Sequence, residues 1–185
     1  AYREDNPGQD LPALVHVATP SYQGTHMQGF HGAVRALVQA LADSGSPPGD
    51  LPIINLFPGM VSPADLRHLK TILADFQLAG NLVPDYSDTL NGPLWTEYQR
   101  IPEGGTTVAS IRRAGSAAAS IECGLVLSEE KATAGTWLDD QFGVPHYRLG
   151  LPIGIHQSDR LFESLSAVSG RPIPEKYTSQ RGRLL

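Results

Sequence analysis

One stretch constrains the architecture more than any other: Ile54-Asn55-Leu56-Phe57-Pro58-Gly59-Met60-Val61-Ser62-Pro63-Ala64-Asp65-Leu66. The apolar run from Leu51 to Phe57 has the length and composition of a buried strand. Pro58-Gly59 turns the chain out of it. Ser62 is a strong helix N-cap, and Pro63 suits the first helical position. Leu66, Leu69, Ile72, Leu73 and Phe76 then recur at helical spacing and form an apolar face. Strands that feed amphipathic helices build parallel sheets, because parallel neighbours need a crossover between them.

The rest of the chain repeats this alternation. Leu11 to Ala18 reads as a first buried strand, and Phe30, Val34, Leu37, Val38 and Leu41 mark a helix that stops at the Pro/Gly-rich segment 44–50. Asn81 to Val83 reads as a short strand, followed by a long irregular loop from Asp85 to Pro102. Thr106 or Thr107 caps a short helix. Ala117 to Val126 contains a strand centred on Ser120-Ile121-Glu122-Cys123, and Glu129 to Phe142 has helical character. Pro145 to Leu149 is the fifth strand candidate. Ser158 is the expected cap of a helix carrying Leu161, Phe162, Leu165 and Val168, ended by Gly170 and Pro172. The expected fold is therefore α/β: a doubly wound, mostly parallel sheet with helices on both faces, Rossmann-like and three-layered. Residues 1–170 form that domain. Residues 171–185 read as the opening of a further helix or connection, cut short.

Hydrophobic residues make up 41% of the chain and charged residues 18%, which leaves enough apolar surface for a sizeable core and excludes global disorder. The net charge of −5 argues against a nucleic-acid partner. No apolar stretch approaches the roughly 20 residues of a membrane span, and the start lacks a signal-peptide pattern. A cytoplasmic protein is expected. Cys123 is the single cysteine, too few for an iron–sulfur cluster held by this chain alone.

In a parallel sheet, ligands bind at the loops beyond the carboxyl ends of the strands. The candidates on that face are Thr19, Ser21 and Gly24 in the first loop, Gly59 and Ser62 in the second, Asp85 and Ser87 in the third, and Gly104, Gly105 and Thr106 before the short helix. Pro102-Glu103-Gly104-Gly105-Thr106-Thr107 could present backbone N–H groups to an anion, or could simply be a tight turn and a cap. Asp85 and Asp88 flank Tyr86 and have either acid/base or turn-forming roles. Histidine spacing matches no zinc motif, and no nucleophile elbow is present, so no catalytic and no metal-ligating residue is assigned. Tyr86, Trp95 and Tyr98 on the long loop either fold back on the core or anchor a protein contact, which would favour self-association of the isolated chain.

An ordered set of blocks resembles the nitrogenase component 1 family, on the side of its molybdenum–iron β subunits and the related cofactor-assembly scaffold. These are Thr19-Pro20-Ser21-Tyr22-Gln23-Gly24-Thr25-His26, Asn55-Leu56-Phe57-Pro58-Gly59, Gly104-Gly105-Thr106-Thr107, Leu151-Pro152-Ile153-Gly154, Gly170-Arg171-Pro172-Ile173-Pro174 and Gln180-Arg181-Gly182-Arg183-Leu184. The resemblance implies the central part of a longer subunit. It also implies a related α-type subunit and an ATP-driven iron protein as partners, and iron–sulfur or iron–molybdenum clusters in the full-length complex. No cluster-ligand position carries over to this chain. A stand-alone α/β module that binds a small anionic ligand or a partner protein is the alternative.

Overall fold

A computed structural model describes residues 12–18, 20–45, 49–90, 97–98, 103–124 and 132–183. Among them the chain forms α1 (His26–Leu41), β1 (Ile53–Phe57), α2 (Pro63–Asp75), β2 (Ala79–Leu82) and α3 (Val108–Arg112), the last continued by a 3-10 turn at Arg113–Ser116. β3 (Ala119–Cys123), α4 (Ala134–Phe142), β4 (His146–Leu149), α5 (Gly154–Ser169) and α6 (Glu175–Gly182) follow. The strands make one sheet in the order β2-β1-β3-β4, every neighbouring pair parallel. The expected doubly wound α/β architecture is the one formed.

Local sequence explains where the elements begin. Ser62 accepts from the Asp65 backbone N–H at 3.2 Å, and the Asp65 carboxylate accepts from the Ser62 N–H at 3.1 Å, closing a reciprocal cap on α2. Thr25, Thr107 and Thr133 cap α1, α3 and α4 in the same manner, each accepting from the N–H three residues on.

Three expectations are corrected. Residues 12–18 pair with no strand and are mostly exposed, so the run from Leu11 to Ala18 adds nothing to the sheet in its described part. A short apolar run signals burial only when a partner edge receives it. The second strand begins at Ala79 rather than Asn81, because the Ala79 N–H already bonds the Pro52 carbonyl at 2.9 Å. α5 begins at Gly154 rather than after Ser158, whose hydroxyl instead reaches back to the Pro152 carbonyl at 3.3 Å.

The alternation of side chains along β1 and β3 divides the core into two faces. Ile54, Leu56, Ile121 and Cys123 meet Leu66, Leu69 and Leu73 of α2 and Leu161 and Leu165 of α5. Ile53 and Phe57 meet Val34 and Val38 of α1, Ile111 of α3 and Leu138 of α4. α6 closes the first face: Tyr177 is 5% exposed and stacks on Phe162 at 4.5 Å between ring centres, while its hydroxyl donates to Asp75.

A polar row crosses the second face. Asn81, Asn55 and Ser120 lie side by side on β2, β1 and β3, all of them buried. Asn81 donates to the Asn55 side-chain oxygen at 2.8 Å, and Asn55 donates to Ser120 Oγ at 3.1 Å. The second amide protons reach the carbonyls of Ser110 and Ala114, each at 2.9 Å. Replacing Asn55 with Leu strips partners from Asn81, Ser120 and a buried carbonyl at once. We expect a loss of about 2–3 kcal/mol in chemical denaturation, against a near-neutral effect for Leu at the exposed Ala132.

Candidate functional site

All four strands end at the same edge of the sheet, and most of the candidate loops meet there. Gly59, just past β1, has φ of +74°, and a Cβ on it would stand 3.4 Å from the Cys123 carbonyl at the end of β3. Glycine suits this position both for its backbone and for the closeness of the two strand exits. The loop after β2 folds over this exit. Tyr86 accepts from the Val61 N–H at 3.0 Å and donates to the Val61 carbonyl at 2.6 Å, tying the second loop to the third.

Around Asp85 the remaining polar candidates form one knot. Lys70 of α2 contacts the Asp85 carboxylate at 2.6 Å and donates to Ser87 Oγ at 2.8 Å. Ser87 gives both its N–H and its hydroxyl to Asp85, at 3.0 and 2.8 Å. The Asp85 N–H bonds Thr106 Oγ1 at 2.6 Å, and Thr106 donates onward to the Leu82 carbonyl at 2.8 Å. Gly104 and Gly105 pass against Asp88, Thr89 and the Asp85 carbonyl, both with positive φ. Burial opposes the charge of Asp85, yet the bonds from Lys70 and Ser87 outweigh burial and hold its pKa below the usual carboxylate value. An ionised, fully engaged carboxylate is a fastening rather than an available base. Thr107, not Thr106, caps α3.

The first loop reaches the same edge by another route. The end of α1 lies at the opposite edge, where the Asp43 N–H bonds the Arg112 carbonyl at 2.7 Å ahead of β3. α1 therefore runs antiparallel to the strands, with Ser21, Gly24 and the Thr25 cap beyond their carboxyl ends. Ser21 is exposed, and Gly24 has φ of +67°. Thr19 lies outside the described residues, as does Trp95. Tyr86 is half-buried against the core, whereas Tyr98 is 92% exposed.

A buried cluster escapes sequence reasoning. Glu122 of β3 is 5% exposed, the one charged residue of a fully buried strand. His31 Nδ1 from α1 lies 3.5 Å from one carboxylate oxygen, and His146 Nε2 from β4 lies 3.0 Å from the other. The latter pair is close but not aligned as a hydrogen bond, and among the described residues His31 Nε2 finds no partner. A Cβ on Gly135 would overlap the His146 ring, so the α4 backbone packs directly on it. Burial again works against the carboxylate; contacts from His146, His31 and Thr133 prevail and bring the Glu122 pKa down to about 2. The available signal was one glutamate within a strand expected to be buried, since a buried charge demands partners. Its partners come from two distant segments and have no spacing to read.

The donor set does not fit an iron–sulfur cluster held by this chain alone. Cys123 is its single thiol, and burial pushes that thiol up to about 12, far from the thiolate a cluster requires. Among the described residues no group of three or more His, Cys, Asp or Glu side chains is arranged to hold a metal ion.

Comparison with known proteins matches residues 1–185 to the family described as nitrogenase component 1 type oxidoreductase. The chain is 32% identical to the nitrogenase molybdenum-iron protein beta chain of Clostridium pasteurianum, over 93% of this chain and 36% of that protein. It is 34% identical to the nitrogenase iron-molybdenum cofactor biosynthesis protein NifN of Bradyrhizobium diazoefficiens, over 92% of this chain and 36% of that one. The solved structure of nitrogenase Cp1 at pH 6.5 superposes with a TM-score of 0.80 at 31% identity, covering 92% of this chain and 36% of that chain. The chain thus spans little more than a third of the length of these relatives.

Two measurements probe the fastenings. Glu122 has a folded pKa below its unfolded value, so its contribution to stability is present above about pH 4.5 and is lost as pH falls through about 2. Denaturation midpoints of the wild type and Glu122→Gln across that window should converge toward low pH, by an amount on the order of 2–3 kcal/mol. Lys70→Met should cost about 1–2 kcal/mol by leaving Asp85 without its cation, and the loss should shrink when Asp85 is also made Asn.

Proposed function

Because this chain belongs to the nitrogenase component 1 type oxidoreductases, we propose that it is the central part of a longer subunit of the β-chain or NifN kind. In that setting it serves nitrogen reduction or the assembly of the iron–molybdenum cofactor. The observation that carries this reading is the near-complete alignment of the chain with both kinds of relative at 30–34% identity. Family membership across residues 1–185 favours it over a stand-alone binding module.

On this reading the sheet acts as a rigid support. The knot at Asp85 and the Glu122 cluster hold the exits of β1, β2 and β3 in place, with Gly59 buried between two of them, so that Ser21, Gly24, Ser62, Gly104 and Gly105 form a fixed surface facing the rest of the complex. Tyr98, exposed on the long loop, is the described aromatic suited to a subunit contact. Iron-containing clusters, when bound, supply the redox chemistry, and their ligands come from elsewhere in the complex. An α-type subunit and an electron-donating iron protein are the partners, in the cytoplasm. Among the described residues no helix is long and apolar enough to cross a membrane.

Tagged full-length protein, co-expressed without oxygen with an α-type component 1 subunit, should copurify with it as a stoichiometric complex that carries iron. Residues 1–185 alone, reconstituted with iron and sulfide, should retain no stoichiometric iron. A full-length protein that stays monomeric and iron-free beside its α-type partner would overturn the proposal.

A further inference from the structure

The strand order places a crevice where the chain changes direction. From β1 the chain leaves to one side for β2 and returns on the other side as β3. Between the carboxyl ends of two such strands, open α/β sheets hold their ligands. A cavity of about 360 Å³ lies at this point, with Pro58 from the exit of β1 and Cys123 from the end of β3 in its lining. That volume is within the range of small-molecule pockets.

The cavity has an apolar interior and an asymmetric rim. Leu69 and Ile72 of α2 face Leu161 and Phe162 of α5 across it. The rim acids are already engaged: Asp65 is closed into the α2 cap, and Asp159 accepts Arg181 Nε on both oxygens at 2.9 Å. The first turn of α5 also borders the cavity, has no side-chain cap and contains no acidic residue. Gly154 opens that turn, and nothing lies within 4 Å of where its Cβ would stand. A hydrogen-bond acceptor can therefore come close to the first backbone N–H groups of α5 while an apolar body fills the space behind it.

We propose that this cavity is a binding site for a compact, largely apolar organic molecule with a hydrogen-bond-accepting end, of the size and polarity of an aromatic carboxylate, its body between α2 and α5 and its acceptor at the start of α5. The proposal goes beyond the subunit reading and does not rest on it, since neither subunit association nor cluster content is its readout.

Benzoate, benzylamine and acetate serve as probes on the full-length protein, followed by calorimetry and by mass-spectrometric hydrogen exchange over residues 154–158. Benzoate should bind and slow exchange at the start of α5, where its carboxylate accepts. Benzylamine, with a donor in place of the acceptor, and acetate, without the body, should each bind about tenfold more weakly or worse. Ser158→Phe, which projects a ring into the cavity, should abolish benzoate binding and the protection together. Protection of the α5 start is read on the wild type, so the proposal is tested even where the variant fails to fold. Absence of benzoate binding overturns it. So does binding that leaves exchange at the α5 start unchanged, which places the probe elsewhere, or equal binding of benzylamine, which leaves the start of α5 without a role. Binding by residues 1–185 but not by the full-length protein shows the cavity filled by the protein's own chain, and overturns it as well.

Discussion

The hydrogen-bonded row Asn81–Asn55–Ser120 is the constraint on which the sheet depends. β1 and β3 are buried on both faces, so an apolar strand that slipped by one residue would still offer apolar side chains to each layer. Here three buried polar groups satisfy one another only when β2, β1 and β3 stand in a single alignment. Sliding one strand by a residue would strand amides in an apolar layer, at a cost far above that of a misplaced methyl group. The same amides bond the carbonyls of Ser110 and Ala114, so the segment leading into β3 is set by the row too. Among the described residues Asn81 Oδ1 finds no partner, so the row is held by the amide donors of the two asparagines.

From this registered sheet the carboxyl edge follows. Parallel strands of similar length finish together, and the loops beyond them must share one small region. The structure fills it with contacts that are mostly internal: Tyr86 on Val61, Lys70 on Asp85, His31 and His146 on Glu122. An edge so heavily tied is unsuited to large loop motions. It is well suited to presenting a surface of fixed shape to a neighbouring domain or subunit.

Much of this was legible in the residues, and the reasons differ by element. The segment from Ile54 to Leu66 declared a strand, a turn and a capped helix because each step is local: alternation, Pro-Gly, then Ser-Pro. The convergence of the loops at Gly59, Asp85 and Gly104 followed from parallel topology alone. The internal use of Asp85 and Tyr86 did not, because their partners Lys70 and Val61 lie on elements whose relative rotation the sequence leaves open. Leu11 to Ala18 has the composition of a strand, and no sheet edge takes it up. Glu122 was visible as an oddity, but His31 and His146 gave no local sign of being its partners.

The direction of the helices has an electrical consequence. α1, α2, α4 and α5 all begin at the carboxyl edge and run back along the sheet, so the positive poles of four peptide dipoles face the same way. Carboxylates stand among these poles: Asp65 in the first turn of α2, Asp85 after β2 and Asp159 near the start of α5. The edge therefore interleaves partial positive charge with fixed negative charge over short distances, a pattern that favours a polar surface of matching arrangement and exerts little pull from afar.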